Sequence, residues 1–339
     1  MPIVIPCAGA STRYPTRPKY LLTLYNGKLM AEMVVDSYPD EELHFIILKA
    51  HVEEYDAEDS LNRCFDGRPN VHIHILDELT TGPAETVYSI LHELDPNDSL
   101  FIKDCDSFFT SPLRRGNYIS AVNLKKYRQM ANVADKSFVV TDHDDIVVNI
   151  IEKDVCSNYV SVGGYSFETI KLFSHAYENV SSAVNSEIFI SHLIKYLLKE
   201  NVFTMVEVDD YVDCGTYSEF LKVNRSKPTI FCDLDGTLFK NQSKYFKNSY
   251  ENPPTIIKPA LNFLLKHQNE GSLIIFTTSR PEKYRDITET ALKDCGFKNY
   301  RIILDIPHSP RILINDYASS NPYPTATAIN VERDNFKIL

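Results

Sequence analysis

The chain has 339 residues, a hydrophobic content of 43%, a charged content of 24% and a formal net charge of −11. That length suits two domains, the composition is that of a folded globular protein, and the acidic balance excludes a general nucleic-acid binder, which would carry a basic footprint. Seven scattered cysteines form no Cys-x-x-Cys pair and no apolar run reaches membrane-spanning length, so reduced thiols, no structural zinc, no secretory leader, no membrane insertion and a cytoplasmic location are expected.

Ile3-Val4-Ile5 reads as a buried strand. It stops at Pro6 and opens into a loop of small residues, Cys7-Ala8-Gly9-Ala10-Ser11-Thr12, followed by two cations, Arg13 and Lys19. Small side chains let backbone N–H groups approach an anion, and Gly9 permits the turn. Arg13 can fork two phosphate oxygens, while Lys19 offers a movable point charge. Strand, loop and cations together point to a nucleotide-phosphate site at the carboxyl end of a strand. Residues 21–24 read as a second short strand, 28–38 as a helix, and 44–48 and 71–76 as further strands. Strands alternating with helices give a largely parallel α/β sheet. At Thr80-Thr81-Gly82-Pro83-Ala84-Glu85 a Gly-Pro turn feeds a helix with Glu85 in its first turn.

The apolar strand at 100–103 runs on into Asp104-Cys-Asp106, and alternation puts both carboxylates on one side. Their oxygens suit Mg²⁺. Residues 138–153 hold two strand-like runs about an acidic turn and end in Glu152-Lys153; Val162-Gly163-Gly164-Tyr165 follows. Glu187 precedes an apolar helix over 188–198, and Asp213-Cys-Gly215-Thr216 closes this half. The short polar stretch 222–228 marks a boundary, giving domains 1–225 and 226–339.

Taken in order, these segments resemble the sugar-nucleotidyltransferase family. Ala8 to Arg13 and Pro18-Lys19 match its signature loop, with Ser11 where a second glycine is usual. The resemblance implies a Rossmann-like, GT-A-like mixed α/β sheet. It implies that Ala8, Gly9, Ala10, Ser11, Thr12, Gly82, Pro83 and Glu85 bind the nucleotide. The Gly82–Glu85 string is equally an ordinary helix start. Asp106, the better match of the two acids, and Asp213 would hold Mg²⁺. Glu152, Lys153, Gly164 and Glu187 would contact the sugar phosphate, with the missing side chain of Gly164 making room for the sugar. The expected partners are an NTP and a sugar phosphate, and a homo-oligomer is compatible with them.

The second half opens on Thr229-Ile-Phe-Cys-Asp233-Leu-Asp235-Gly236-Thr237. Two aspartates two residues apart emerge on one side of a strand end, where Asp233 can attack phosphorus and Asp235 can move protons. The string resembles the first motif of haloacid-dehalogenase-type (HAD-like) phosphatases, of the kind found with capsule and surface-polysaccharide genes. The resemblance implies a small Rossmannoid domain with a minimal cap, a flap over 245–255 at most. It implies Thr278, or Thr277, holding the phosphoryl group, and Mg²⁺ bound by Asp233, Asp235 and Asp316. Residues 311–316 would form the strand that delivers Asp316. The family's lysine before that strand is missing, and Arg311 or His308 would replace its charge.

Overall fold

Every second residue of Ile3-Val4-Ile5 must face the same way in a strand, and all three are buried. Val4 joins one hydrophobic cluster with Ile46 and Ile102, while Ile3 and Ile5 join another with Phe45 and Phe101. The strands over 3–6, 43–48 and 100–103 are therefore covered on both faces, which is the burial expected of a parallel sheet under helices. The computed structural model describes residues 1–10, 17–127, 130, 133–183, 186–245, 247, 249–316 and 325–339. It divides into two compact units, 1–221 and 222–339.

The first unit runs β1 (Ile3–Pro6), α1 (Met30–Ser37), β2 (Leu43–Leu48), α2 (Lys49–Tyr55), α3 (Ala57–Cys64), β3 (Val71–Leu76), α4 (Pro83–Tyr88), β4 (Leu100–Lys103), β5 (Ser107–Phe108) and β6 (Tyr118–Asn123). It continues with β7 (Ser137–Thr141), β8 (Val147–Glu152), β9 (Tyr159–Phe167), α5 (Ile170–Ser181), α6 (Ile190–Leu197), β10 (Thr204–Glu207), β11 (Val212–Asp213) and α7 (Tyr217–Ser226). The main sheet has the order β10-β6-β9-β4-β1-β2-β3, with β7 pairing both β8 and β9. Strands β1 to β4 are mutually parallel, and β9 runs antiparallel to β4 and β6. The sheet is mixed. Because β1 and β4 are parallel neighbours, the loops that leave their carboxyl ends emerge at one edge.

Two expectations need correction here. Residues 21–24 form no strand: Lys19–Leu21 is a single 3-10 turn, and Thr23 pairs with Leu29 in an isolated bridge. Apolar content was read as strand where Pro18 instead starts a turn that buries Tyr20 and Leu21. The division between units falls inside α7, whose Thr216 and Glu219 cap each other at its start. The polar residues 222–226 are thus helix, not linker, because a helix turn exposed to solvent takes polar residues as readily as a linker does.

The second unit continues with β12 (Ile230–Asp233), α8 (Lys258–Asn269), β13 (Ile274–Thr277), α9 (Arg285–Asp294) and β14 (Tyr300–Ile303). Its sheet is parallel, in the order β12-β13-β14, over a core that includes Leu234, Phe239, Leu264, Phe276 and Phe297. Helix α9 stops at Gly296, at φ +93°, with the Phe297 N–H returning to the Leu292 carbonyl. This left-handed position is one that glycine adopts without strain. Residues 311–316 form no strand, and Ile312, Leu313 and Ile314 are exposed. The third strand is β14, earlier in the chain. An apolar run predicts a strand only where neighbouring strands cover it, and here nothing among the described residues does.

Candidate functional site

Strand β4 ends at Lys103, and the chain turns through Asp104 and Asp106 into β5. Strand β5 pairs antiparallel with β11, with Ser107 opposite Asp213, and the Cys214 N–H donates to the Asp106 carbonyl at 2.8 Å. This short ladder sets Asp106 beside Asp213. A methyl group placed on Gly215 would lie 3.1 Å from Asp213 Oδ1, 3.6 Å from Asp106 Oδ2 and 3.7 Å from Lys136 Nζ. The two acids and a lysine therefore converge on one point.

Each acid carries its own cation. Lys19 Nζ donates to Asp106 Oδ2 at 2.5 Å. Lys136 Nζ forms an ion pair with Asp213 Oδ2, and the Gly215 N–H donates to Oδ1 at 2.9 Å. Asp213 Oδ2 is buried and accepts no well-formed hydrogen bond among the described residues. Burial works against charge on Asp106, but the Lys19 ammonium outweighs it and holds the carboxyl at about 2. Lys19 is shifted upward in turn: burial opposes its charge and Asp106 overcomes the opposition. Asp104 goes the other way. Burial, then repulsion from Asp106, pushes it up to about 6. Beneath them Lys103 is fully buried, donating to the carbonyls of Asp104 (2.7 Å) and Ser107 and to Ser107 Oγ (2.9 Å). Burial lowers it to about 8.

Of the loop after β1, Ala8 is buried and Gly9 and Ala10 are exposed. Gly9 sits at a bend without left-handed backbone, and a Cβ there would meet open space. Ser11, Thr12 and Arg13 lie outside the described residues. Gly82 is fixed by contact: a Cβ would come within 2.9 Å of the Ile188 backbone and 3.1 Å of Glu187 Cγ. The Gly82-Pro83 turn and Glu187 therefore meet, and the Ala84 N–H donates to the Ile188 carbonyl at 3.2 Å. The Glu85 carboxylate accepts from the N–H (2.5 Å) and hydroxyl (2.7 Å) of Thr81, so it serves the entry of α4. Glu152 accepts from the hydroxyls of Ser137 (2.5 Å) and Ser191 (2.7 Å), while Lys153 stands over the Phe189 ring. Packing within the sheet, without any sugar, already accounts for the missing side chain of Gly164. The residue pairs with Lys103 and Ser120 in mid-sheet, and a Cβ would lie 2.8 Å from Phe109 Cζ and from Ser120 Oγ.

In the second unit Asp233 ends β12 in register with Thr277. Its carboxylate accepts from Thr237 Oγ1 (3.3 Å) and Arg311 Nη2 (3.2 Å). Burial raises it, with Arg311 pulling the other way. Arg280, 1% exposed, forks Asp235 at 2.9 and 2.7 Å and also reaches Gln242 (2.6 Å) and Thr288 (3.2 Å). Thr278 Oγ1 donates to Asp235 Oδ2 at 3.2 Å. Both oxygens of Asp235 are thus taken, and a role in proton transfer requires Arg280 to release one. Asp316 is exposed, and its carbonyl accepts from Thr325. No contact among the described residues brings its carboxylate to Asp233, because the strand that should carry it is not formed.

Sequence reasoning missed Lys103, Lys136 and Arg280. A lysine inside an apolar strand, and an arginine directly after the hydroxyl run Thr277-Thr278-Ser279, were signals for two of them. Lys136 carried none.

No family model matches this sequence, and no curated protein does. Solved structures do match. The nucleoside-diphosphate-sugar pyrophosphorylase from Vibrio cholerae RC9 superposes with a TM-score of 0.55 at 21% identity, over 66% of this chain and 99% of that one. A UDP-glucose pyrophosphorylase complexed with UDP-glucose gives 0.51 at 14% identity, over 66% and 97%. The inositol-1-phosphate CTP transferase from T. maritima gives 0.51 at 11%, over 64% and 90%. About two-thirds of the chain therefore has the fold of the sugar nucleotidyltransferases.

Proposed function

We propose that the first unit transfers a nucleotidyl group from a nucleoside triphosphate to a sugar 1-phosphate and releases pyrophosphate. The observation that carries this reading is the β5–β11 pair, which sets Asp106 against Asp213 at the edge where the loop after β1 leaves the sheet. The likeness in fold to nucleotide-sugar pyrophosphorylases supports it. A sugar-phosphate oxygen attacks the α-phosphorus in line. The new P–O bond forms as the bond to the bridging oxygen breaks and pyrophosphate departs. Lys19 and Arg13 neutralise the departing charge, so positioning and electrostatics carry the step. The donors at Asp106 and Asp213 are oxygens only and converge on one point, a set that fits Mg²⁺. Mg²⁺ held there would screen the phosphates from one another. Gly82 and Glu187, which meet one another, would contact nucleotide and sugar together with Pro83, and Glu152 and Lys153 would take the sugar phosphate. A polyol phosphate or phosphonate is the alternative acceptor.

The Asp233–Arg311 pair in the second unit supports hydrolysis of a phosphate ester through an aspartyl-phosphate; a shared role of the two units in activated-sugar synthesis for a surface polysaccharide rests on their fusion in one chain. A second reading, a phosphate-binding unit without turnover, is favoured by Arg280 occupying both oxygens of Asp235. Lys19→Ala and Asp213→Ala should each abolish pyrophosphate release with the fold intact; near-normal turnover in both refutes the transferase. Phosphate release from esters with Mg²⁺ that vanishes in Asp233→Asn supports hydrolysis, and its absence in wild type supports the binding unit.

A further inference from the structure

Strands β2 and β3 run parallel with His44 opposite His72, and His74 lies two residues on along β3. The run Val71-His-Ile-His-Ile alternates, so both β3 imidazoles share one face. The rings of His72 and His74 stack on His44, with centroids 4.9 and 5.2 Å away. His44 is 4% exposed. Glu42, just before β2, points its Oε1 to within 3.3 Å of His44 Nε2 and 3.6 Å of His72 Nε2.

The hydrogen bonds around His44 leave one atom without a partner. Glu93 Oε2 lies 3.3 Å from His74 Nδ1, and His74 Nε2 lies 3.0 Å from His44 Nδ1. With Glu93 accepting from His74 Nδ1–H, His74 Nε2 accepts from His44 Nδ1–H. His44 Nε2 then presents a bare lone pair. That atom is buried and makes no hydrogen bond among the described residues, and it faces the negative oxygen of Glu42. In the opposite tautomer Nε2–H would face Glu42 without the geometry of a hydrogen bond. Either way a buried polar atom goes unsatisfied, at a cost.

We propose that Glu42, His44 and His72 form a site for a zinc-class divalent cation that ties the amino ends of β2 and β3 together. The three ligand atoms lie within 4.8 Å of one another. Tetrahedral zinc with bonds of about 2.0–2.1 Å needs ligand atoms about 3.4 Å apart. Two of the three separations already meet that spacing. The third closes when His72, whose side chain is 45% exposed on the edge strand, turns out of its stack on His44 so that both rings aim Nε2 at one point. The His44–His74–Glu93 chain is the outer support that orients a metal-binding imidazole. Two nitrogens and one oxygen select zinc over Mg²⁺, which prefers an all-oxygen set. This site is at the amino end of β2 and β3, whereas Asp106 and Asp213 follow carboxyl ends. A cation here would pin β3, whose outer side pairs with no other strand.

The test uses the full chain, dialysed with zinc in excess Mg²⁺. Retained metal is measured by competition with a chromophoric chelator, and cobalt(II) serves as a spectroscopic probe. The expectation is one zinc per chain, a zinc-dependent rise in unfolding temperature, and cobalt bands without a sulfur charge-transfer band. Glu42→Gln and His72→Ala should each weaken binding tenfold or more while leaving the unfolding temperature of the metal-free protein nearly unchanged. His44→Ala removes a buried group and can fail to fold, so the two exposed positions decide the matter. No retained zinc, retention untouched by both substitutions, or a sulfur-to-cobalt band would overturn the site.

Discussion

Asp104 and Asp106 are two residues apart, yet their surroundings drive their acidities in opposite directions. Asp104 stands at about 6, raised by burial and by Asp106, and Asp106 stands at about 2, held by Lys19. For a carboxyl raised from 3.8 to about 6, the folded state keeps its proton after the unfolded state has lost it. Stability therefore falls as pH rises from about 4 to about 6, and the loss is complete above that. At about 1.4 kcal/mol per pKa unit the penalty at neutral pH is about 3 kcal/mol. This is an upper figure, because Asp104 keeps some contact with solvent that screens its charge. Asp104→Asn removes the penalty. It should raise the melting temperature of the first unit at pH 7.5 by at most about 6–12 °C, at roughly 2–4 °C per kcal/mol for a unit of this size. At pH 4 the difference should nearly vanish. Asp106→Asn should do the opposite at pH 7.5, since it leaves the Lys19 ammonium without its partner; the stability Asp106 provides is present above 3.8 and lost as pH falls toward 2. Calorimetry of both variants at the two pH values checks this. An Asp104→Asn protein no more stable than wild type at pH 7.5, or equally stabilised at pH 4, refutes the reasoning.

Gly164→Ala should cost about 1–3 kcal/mol through overpacking against Phe109 and Ser120; a variant of native stability with only a raised KM would restore the sugar-pocket role. Arg280→Met strands the Asp235 carboxylate and should destabilise the second unit by about 3–5 kcal/mol. Adding Asp235→Asn should recover part of that loss in denaturant titrations, and no recovery would mean the two residues are not coupled. Arg311, 45% exposed at the side chain, should contribute less than about 1 kcal/mol to stability. If the second unit hydrolyses esters, Arg311→Ala should nonetheless slow phosphate release ~10²-fold, and an unchanged rate together with a dead His308→Ala would transfer the role to the histidine.

Strands were legible because their signal is local. Apolar runs at β1, β2, β4, β12 and β13 and the alternating run at β3 are bounded by turn residues, and Gly296 marks the end of α9. The convergence of Asp106 and Asp213 was not local; only the order of motifs implied it, and the β5–β11 register places them together. What failed depended on neighbours that a linear reading cannot see. The Ile312-Leu-Ile run had the composition of a strand without a partner, and Gly164 looked open because its filler, Phe109, lies more than fifty residues away. Lys136 escaped for a related reason: it acquires meaning only through Asp213, which a different strand delivers.

The two-residue ladder between β5 and β11 has a consequence for how the protein comes into being. It joins segments about a hundred residues apart and adds few contacts of its own, so closing it costs chain entropy that only the finished sheet can offset. During synthesis, which proceeds from the amino end, the loop after β1 and Asp106 leave the ribosome long before Asp213. A nascent chain thus carries Asp106 without the Asp213 that it meets in the finished sheet. For the proposed transferase, competence for nucleotide should arrive abruptly, with the last two strands of the first unit, and any product truncated before residue 213 should be inert however well its earlier strands have folded.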